Sequence, residues 1–351
     1  MKILLVGEYS GLHLNLRDGL RELGHEAYIA STGDTWKNIA NDISLGDQKK
    51  DLLSKFSRNM RPFMNLGKLT GYDVVQFINP LIFNPRFNIN TKLIEFLIRN
   101  NNKTFFLAAG CDYLFHKSKT LNYSPCKGCK TLDYPNGCPF TSGEEMAASL
   151  FAKADGVIPI GYDYSLSHSR LANIKPYVPL PLNANKVVYR QNKSLDRVRF
   201  FHGLNRPGFK GTQYVKESFD LLTNKYAKGS EFLIDGYMPL QKYLEVMQSM
   251  NVVVDQTSAY CSGMNALFAM AMGKVVLGGS EKEANEFQYG EESPVINIRP
   301  SVTSVSEAIE YCLDNKENLS EWGARSRAFV QKHHDHIAVA AKYVQIYKGV
   351  V

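Results

Sequence analysis

The chain has 351 residues, a length that two domains of ordinary size fill better than one. With 44% hydrophobic and 21% charged residues it reads as a soluble globular protein, and no window reaches the roughly 18–20 uninterrupted apolar residues that a spanning helix needs. The formal charge of +7, from 41 basic residues spread along the chain, suits an anionic ligand or membrane surface and falls short of the concentrated basic face of a nucleic-acid binder.

Residues 2–8 predict a strand entering a glycine turn; their apolar run is too short for a signal peptide. A cytoplasmic protein with mostly reduced cysteines is the expectation. Leu14, Leu16, Leu20 and Leu23 give a helical stripe before Gly24, and residues 25–31 a second strand, so the chain opens as a βαβ unit of a doubly wound sheet. The turn holds one glycine at its tip, Gly11, too few for a dinucleotide fingerprint. It is either a plain tight turn or a backbone approach to a ligand. Residues 48–68 alternate Lys49, Lys50, Lys55, Arg58, Arg61 and Lys68 with Leu52, Leu53, Phe56, Met60, Phe63, Met64 and Leu66. Such a segment lies on an anionic bilayer as a peripheral contact, or packs its apolar side on its own sheet, the commoner fate of an apolar stripe.

Strands at 73–79 and 103–110 flank a helix at 91–99. Asp112 follows the second strand, where open α/β sheets face their ligands; capping or a turn accounts for it equally well. The loop-like insertion that follows carries Cys126, Cys129 and Cys138, with Cys111 just before it. Four sulfurs fit a structural zinc ion, yet one Cys-x-x-Cys without a second pair suits reduced thiols better, and a disulfide least. Ser142 and Glu145 have capping-box spacing at the start of a helix over 142–153. A strand at 156–160, a helix at 162–172 and a proline-punctuated strand at 177–182 follow, and the polar stretch 183–196 reads as a linker.

A second βα series begins with a strand at 199–202, a loop at 203–209 and a helix at 210–226. In H-G-L-N-R-P-G-F-K-G-T, Arg206 and Lys210 bracket Gly208 at a strand-to-helix turn, where fixed cations and free N–H groups can share one diphosphate. A strand at 231–235 and a helix at 239–250 lead to a buried strand, 252–254, that ends on Asp255 and Gln256. A small-residue loop, 257–263, then opens an apolar helix over 264–272, stopped by Gly273 and followed by a strand at 274–279. Its free N–H groups make a second anion site. A strand at 294–298 and helices at 305–313, 320–332 and 336–347 close the chain.

The succession H-x-x-N-R-x-x-x-K-G-T, V-V-V-D-Q, G-M-N-A-L-x-A-M-A-x-G-K-V-V and R-S-R-A-F-V-Q-K-H-H-D resembles the donor-binding half of GT-B glycosyltransferases. The likeness is greatest to glycosyltransferase family 4 and a bacterial branch that modifies surface polysaccharides; the first half is covered mainly by its βα order. The resemblance implies an α/β fold of two Rossmann-like, doubly wound domains with a cleft between them. Their expected bounds are 1–185, carrying the insertion 111–141, and 197–335, with 336–351 crossing back to the first. It implies a retaining, hexosyltransferase-like enzyme that moves a sugar from a UDP- or GDP-linked donor to a glycan or lipid-linked acceptor, without a catalytic metal.

Residue by residue, Arg206 and Lys210 match the Arg and Lys that contact the donor diphosphate, and Gly263, Met264 and Asn265 fall where backbone groups meet donor phosphate and sugar. Gly203, Asn205, Tyr260 and Ser262 flank these, and with Gly11 and His13 complete the expected donor-binding set. Asp112 joins Arg206 and Lys210 as a catalytic candidate, the acceptor being expected near it on the first domain. One departure stands out. The family's Glu-x7-Glu falls at Tyr260 and Phe268, and Phe268 cannot accept the hydrogen bond of a nucleotide ribose. A non-catalytic GT-B-like protein that binds a nucleotide or glycan is the alternative this departure supports.

Overall fold

The structure, a computed structural model, describes residues 1–46, 51–84, 88–118, 121–133, 138, 144–193 and 196–350. The chain forms two compact units, one of Met1–Thr120, Pro139–Asn183 and His336–Val351, the other of Leu121–Cys138 and Ala184–Asp335. The insertion expected wholly in the first domain is therefore divided, its cysteine-rich part going with the second unit.

The first unit runs β1 (Lys2–Val6), α1 (Leu12–Glu22), β2 (Glu26–Ser31), β3 (Ile43–Ser44), α2 (Leu52–Met64), β4 (Val74–Phe77), α3 (Ile89–Arg99), β5 (Lys103–Ala108) and α4 (Tyr113–Lys117). The short α5 (Cys126–Gly128) belongs to the second unit, and α6 (Glu144–Lys153), β6 (Gly156–Pro159) and α7 (Tyr162–Ser167) to the first. The strands form one sheet, β3-β2-β1-β4-β5-β6, parallel at every pairing. Ile3, Leu4, Leu5 and Val6 are all fully buried, which is why β1 reads as an unbroken apolar run rather than an alternation.

The second unit runs β7 (Val198–Leu204), α8 (Pro207–Lys210), α9 (Thr212–Lys225), β8 (Ser230–Gly236), α10 (Leu240–Gln248), β9 (Val252–Val254), α11 (Met264–Ala271), β10 (Val275–Gly278), α12 (Lys282–Tyr289), β11 (Ile296–Asn297), α13 (Val302–Asp314) and α14 (Leu319–His333). Its parallel sheet has the order β11-β10-β9-β7-β8, so the strand order reverses between β7 and β9. In an open α/β sheet that reversal opens a crevice beyond the carboxyl ends of the strands.

The last helix, α15 (His336–Lys348), packs on α1 in the first unit. Gly19 makes this possible: a Cβ there would lie 2.1 Å from the His336 carbonyl oxygen and 2.9 Å from Ala340 Cβ. A buried polar chain stitches the same elements. His13 Nδ1 donates to Gly7 O (2.8 Å), Gln76 Nε2 donates to His13 Nε2 (3.1 Å), and the Tyr347 hydroxyl donates to Gln76 Oε1 (2.6 Å).

Three expectations need correction. Residues 177–182 form no continuous strand: Pro179 and Pro181 lack the N–H a ladder needs, while Val178 N reaches Pro159 O at 3.0 Å. The helix expected over 210–226 breaks at Gly211, whose φ of 70° lies in the left-handed region. The apolar stripe of α2 does not pack away, for Phe56, Met60 and Phe63 are exposed and Leu53 and Met64 are 84% and 78% exposed. Lys49, Lys50 and the cap Ser142 lie outside the described residues.

Replacing Gly19 by Val should force α15 away from α1 and cost about 1–3 kcal/mol in urea unfolding. Parent stability would contradict the close packing.

Candidate functional site

The site is built at the strand-order reversal of the second unit. Lys210, at the end of α8, points its Nζ to Asp255 Oδ1, just past β9, at 3.0 Å; the two side chains are only 8% and 3% exposed. Asn265 Nδ2 donates to the same carboxylate oxygen (2.8 Å), and Tyr243 OH donates to Asn265 Oδ1 (2.6 Å). Gly203 leaves room for that tyrosine, since a Cβ there would lie 1.6 Å from its hydroxyl oxygen. Thr257 N donates to Lys210 O at 3.1 Å, so backbone and side chain both fasten the loop after β9 to the loop after β7. Beneath them His202, held neutral by burial with its pKa down at about 4, donates Nδ1–H to Val254 O (2.8 Å) and accepts the Thr212 hydroxyl (2.8 Å).

Above this base sits Arg206, whose backbone N–H donates to Asn205 Oδ1 (2.8 Å) and whose guanidinium lies 4.3 Å over the Phe209 ring. Its Nη2 donates to Cys129 Sγ (3.1 Å), and its Nε stands 4.0 Å from Asp133 Oδ2. The Asp133 carboxylate accepts from Gly208 N (3.0 Å) and Phe209 N (2.8 Å), and also from the Cys129 thiol (3.0 Å). Asp133 ends a π-helical turn, Cys129–Asp133, directly after α5. Nothing in the sequence pattern singles it out: it lies in an aperiodic insertion, far in sequence from the loop it meets.

Around the loop after β9, Tyr260 is buried, with its ring stacked on Tyr123 at 4.6 Å and its hydroxyl accepting from Asn122 N at 2.9 Å. Tyr123 OH donates to Glu281 Oε1 (2.6 Å), Asn297 Nδ2 to the same oxygen (2.8 Å), and Arg299 holds both carboxylate oxygens at 2.8 Å. The Arg299 hydrogen bonds are the main cause that holds Glu281 down at about 2. Ser262 Oγ reaches Gly279 O at 3.4 Å, Met264 is buried, and Phe268 lies in the apolar body of α11. Gly263 opens α11 into space, for a Cβ there would meet only Gln256 Nε2, at 3.5 Å.

The first-unit candidates are engaged in packing. Gly11 N and Leu14 N both donate to the Glu8 carboxylate (2.9 Å each), so the glycine turn closes on its own side chain. Burial, and next the charge of Asp34, push Glu8 up to about 7. His13 is fully buried in the polar chain described above, and burial lowers it to about 4. Asp112 is buried too; one oxygen caps α4 through Phe115 N (2.8 Å) and the other faces His168 Nε2 (2.9 Å), so capping is the role observed. The four cysteines are divided between the units, Cys111 in the first and Cys126, Cys129 and Cys138 in the second, and none of them is in a disulfide. Among the described residues no group of three or more His, Cys, Asp or Glu is placed to hold a metal ion.

No family model matches the chain, and no curated protein does. Solved structures match it in fold. A sucrose-phosphate synthase from Thermosynechococcus elongatus gives a TM-score of 0.63 at 14% identity, over 100% of this chain and 99% of that one. Anabaena Alr3699/HepE, solved with UDP and glucose, gives 0.60 at 12% identity, over 99% of each chain. WaaG, a glycosyltransferase involved in lipopolysaccharide biosynthesis, gives 0.57 at 12% identity, over 99% of this chain and 100% of that one. The shared feature is the α/β architecture of two parallel sheets found in GT-B glycosyltransferases.

Two stability measurements follow. Glu8 keeps its proton in the folded chain up to about 7 but loses it at about 4.5 when unfolded, so stability should fall as pH rises across that window and level off above it. Glu8→Gln should remove most of this fall, on the order of 3 kcal/mol; an unchanged pH profile would contradict the burial of Glu8. Lys210→Ala strands a buried Asp255 and should cost about 3–5 kcal/mol, whereas Arg206→Ala, on a part-exposed side chain, should cost about 1 kcal/mol. Equal losses would contradict the buried pair.

Proposed function

We propose that the chain is a retaining, hexosyltransferase-like enzyme that moves a sugar from a nucleotide-sugar to a glycan or lipid-linked acceptor in bacterial surface polysaccharide synthesis. The observation that carries this reading is the loop of Arg206–Lys210. Its guanidinium and the N–H groups of Gly208 and Phe209 converge on an oxyanion, here the Asp133 carboxylate. A diphosphate asks for the same donors. The likeness in fold to HepE, whose structure holds UDP and glucose, favours UDP over GDP.

In this reading Arg206 and the two N–H groups stabilise the charge that develops on the leaving diphosphate. Lys210, paired with Asp255, fixes the loop from beneath. Asn205, Gly263, Met264 and Asn265 line the donor's path. The sugar's anomeric C–O bond breaks as the acceptor oxygen attacks from the same face, and the leaving phosphate oxygen takes the acceptor proton. No metal and no dedicated base are required. Asp112 then serves to position α4, while the acceptor binds the first domain.

The replacement of the family's Glu pair by the buried Tyr260 and Phe268 favours a second reading, a non-catalytic nucleotide- or glycan-binding protein. Assays across UDP- and GDP-sugars separate the two. Transfer, or slow donor hydrolysis, is expected with at least one donor and should drop at least tenfold in Arg206→Ala. Binding without turnover of any donor would establish the second reading.

The exposed face of α2 supports a cytoplasmic enzyme that is peripheral at the inner face of the membrane. Lys55, Arg61 and Lys68 are exposed beside Leu53, Phe56, Phe63 and Met64, the pairing of charge and apolar surface that anionic lipid attracts. No helix among the described residues is long and apolar enough to cross a membrane. Flotation with phosphatidylglycerol vesicles should recover the protein, and Phe56→Ser with Met64→Ser should abolish that recovery. Equal recovery of parent and double variant would rule α2 out.

A further inference from the structure

We infer that Asp133 is a built-in competitor for the donor diphosphate: a carboxylate, carried by the cysteine-containing insertion, that occupies the anion position of the Arg206 loop and has to leave before a nucleotide enters. The inference rests on the proposed function for the identity of the incoming anion.

The geometry is that of a bound oxyanion. Each Asp133 oxygen takes one backbone N–H, from Gly208 (3.0 Å) and Phe209 (2.8 Å), and Arg206 Nε stands 4.0 Å away. The Asp133 side chain is 6% exposed, against 31% for Arg206, so it shields the N–H pair from water while the cation stays reachable. Cys129 joins the two by donating to Asp133 Oδ2 (3.0 Å) and accepting from Arg206 Nη2 (3.1 Å). The insertion lies flat against the loop because both contacting residues are glycines. A Cβ at Gly128 would sit 2.3 Å from Gly208 O, and one at Gly208 would sit 2.2 Å from Gly128 O.

A carboxylate offers one negative charge to these donors, whereas a diphosphate offers at least two and more oxygens, so the exchange favours the nucleotide once it is present. The cost of lifting Asp133 is subtracted from nucleotide affinity, as for any ligand that must displace a resident contact. A purely static cap makes the opposite prediction, because its removal would loosen the loop and weaken binding.

The test is calorimetric titration of UDP into the full chain, its Asp133→Asn and Asp133→Ala variants, and Arg206→Ala. Both Asp133 variants should bind UDP at least tenfold more tightly than the parent, and Arg206→Ala should bind it more weakly. Unchanged or weaker binding in both Asp133 variants, with Arg206→Ala still impaired, would overturn the inference and leave the glycosyltransferase reading standing. No binding by any of the four proteins would overturn both. A second measurement needs no variant. Cys129 is buried against Asp133 and Arg206. Its alkylation in the parent, followed by peptide mass spectrometry, should accelerate when UDP is saturating. An unchanged or slower rate would overturn the displacement of the insertion.

Discussion

Everything at the site hangs on the pair of Lys210 and Asp255, an ammonium and a carboxylate taken almost fully out of water. Desolvating both is costly, and such a pair holds only when the remaining hydrogen-bonding capacity is met. Here the capacity is met in sequence: Asn265 binds Asp255, Tyr243 binds Asn265, and Tyr243 fits because residue 203 is a glycine. The loops after β7 and β9 are thereby locked to one another. The lock is what holds Arg206 and the N–H groups of Gly208 and Phe209 in fixed positions.

The two units treat the same architectural opportunity differently. In the first, the turn after β1 is closed by its own Glu8, and the Asp after β5 is spent on a helix cap and a buried histidine. In the second, the N–H groups after β7 are met by Asp133, which lies 75 residues before Gly208. A local partner makes a permanent turn. A partner carried on a separate segment makes a contact that another anion can contest.

Most strands of both sheets were legible in the sequence because buried parallel strands are nearly continuous apolar runs, as in residues 3–6 and 252–254, whereas the two-residue β3 (Ile43–Ser44) offers too short a run to show. The turn that carries Arg206 and Lys210 was legible because glycines between a strand and a helix mark such a turn. Periodicity carries no information on which polar side chains end up buried, so the burial of His13 and Asp112 was not legible. α12 escaped notice because only Ala284 and Asn285 of its residues are buried, leaving almost no apolar stripe. The reverse error occurred at 177–182, where an apolar run passed for a strand although its prolines cannot pair. Asp133 was invisible for a different reason: its meaning comes wholly from a contact distant in sequence.

Under the proposed function the Arg206 loop is a diphosphate site. Its most direct measurement is the affinity of the protein for uridine, UMP and UDP at low and moderate salt. At least a tenfold gain from uridine to UDP is expected, with a clear loss of that gain as salt rises, since phosphate recognition by a part-exposed guanidinium is screened. Equal affinities for uridine and UDP, indifferent to salt, would contradict it.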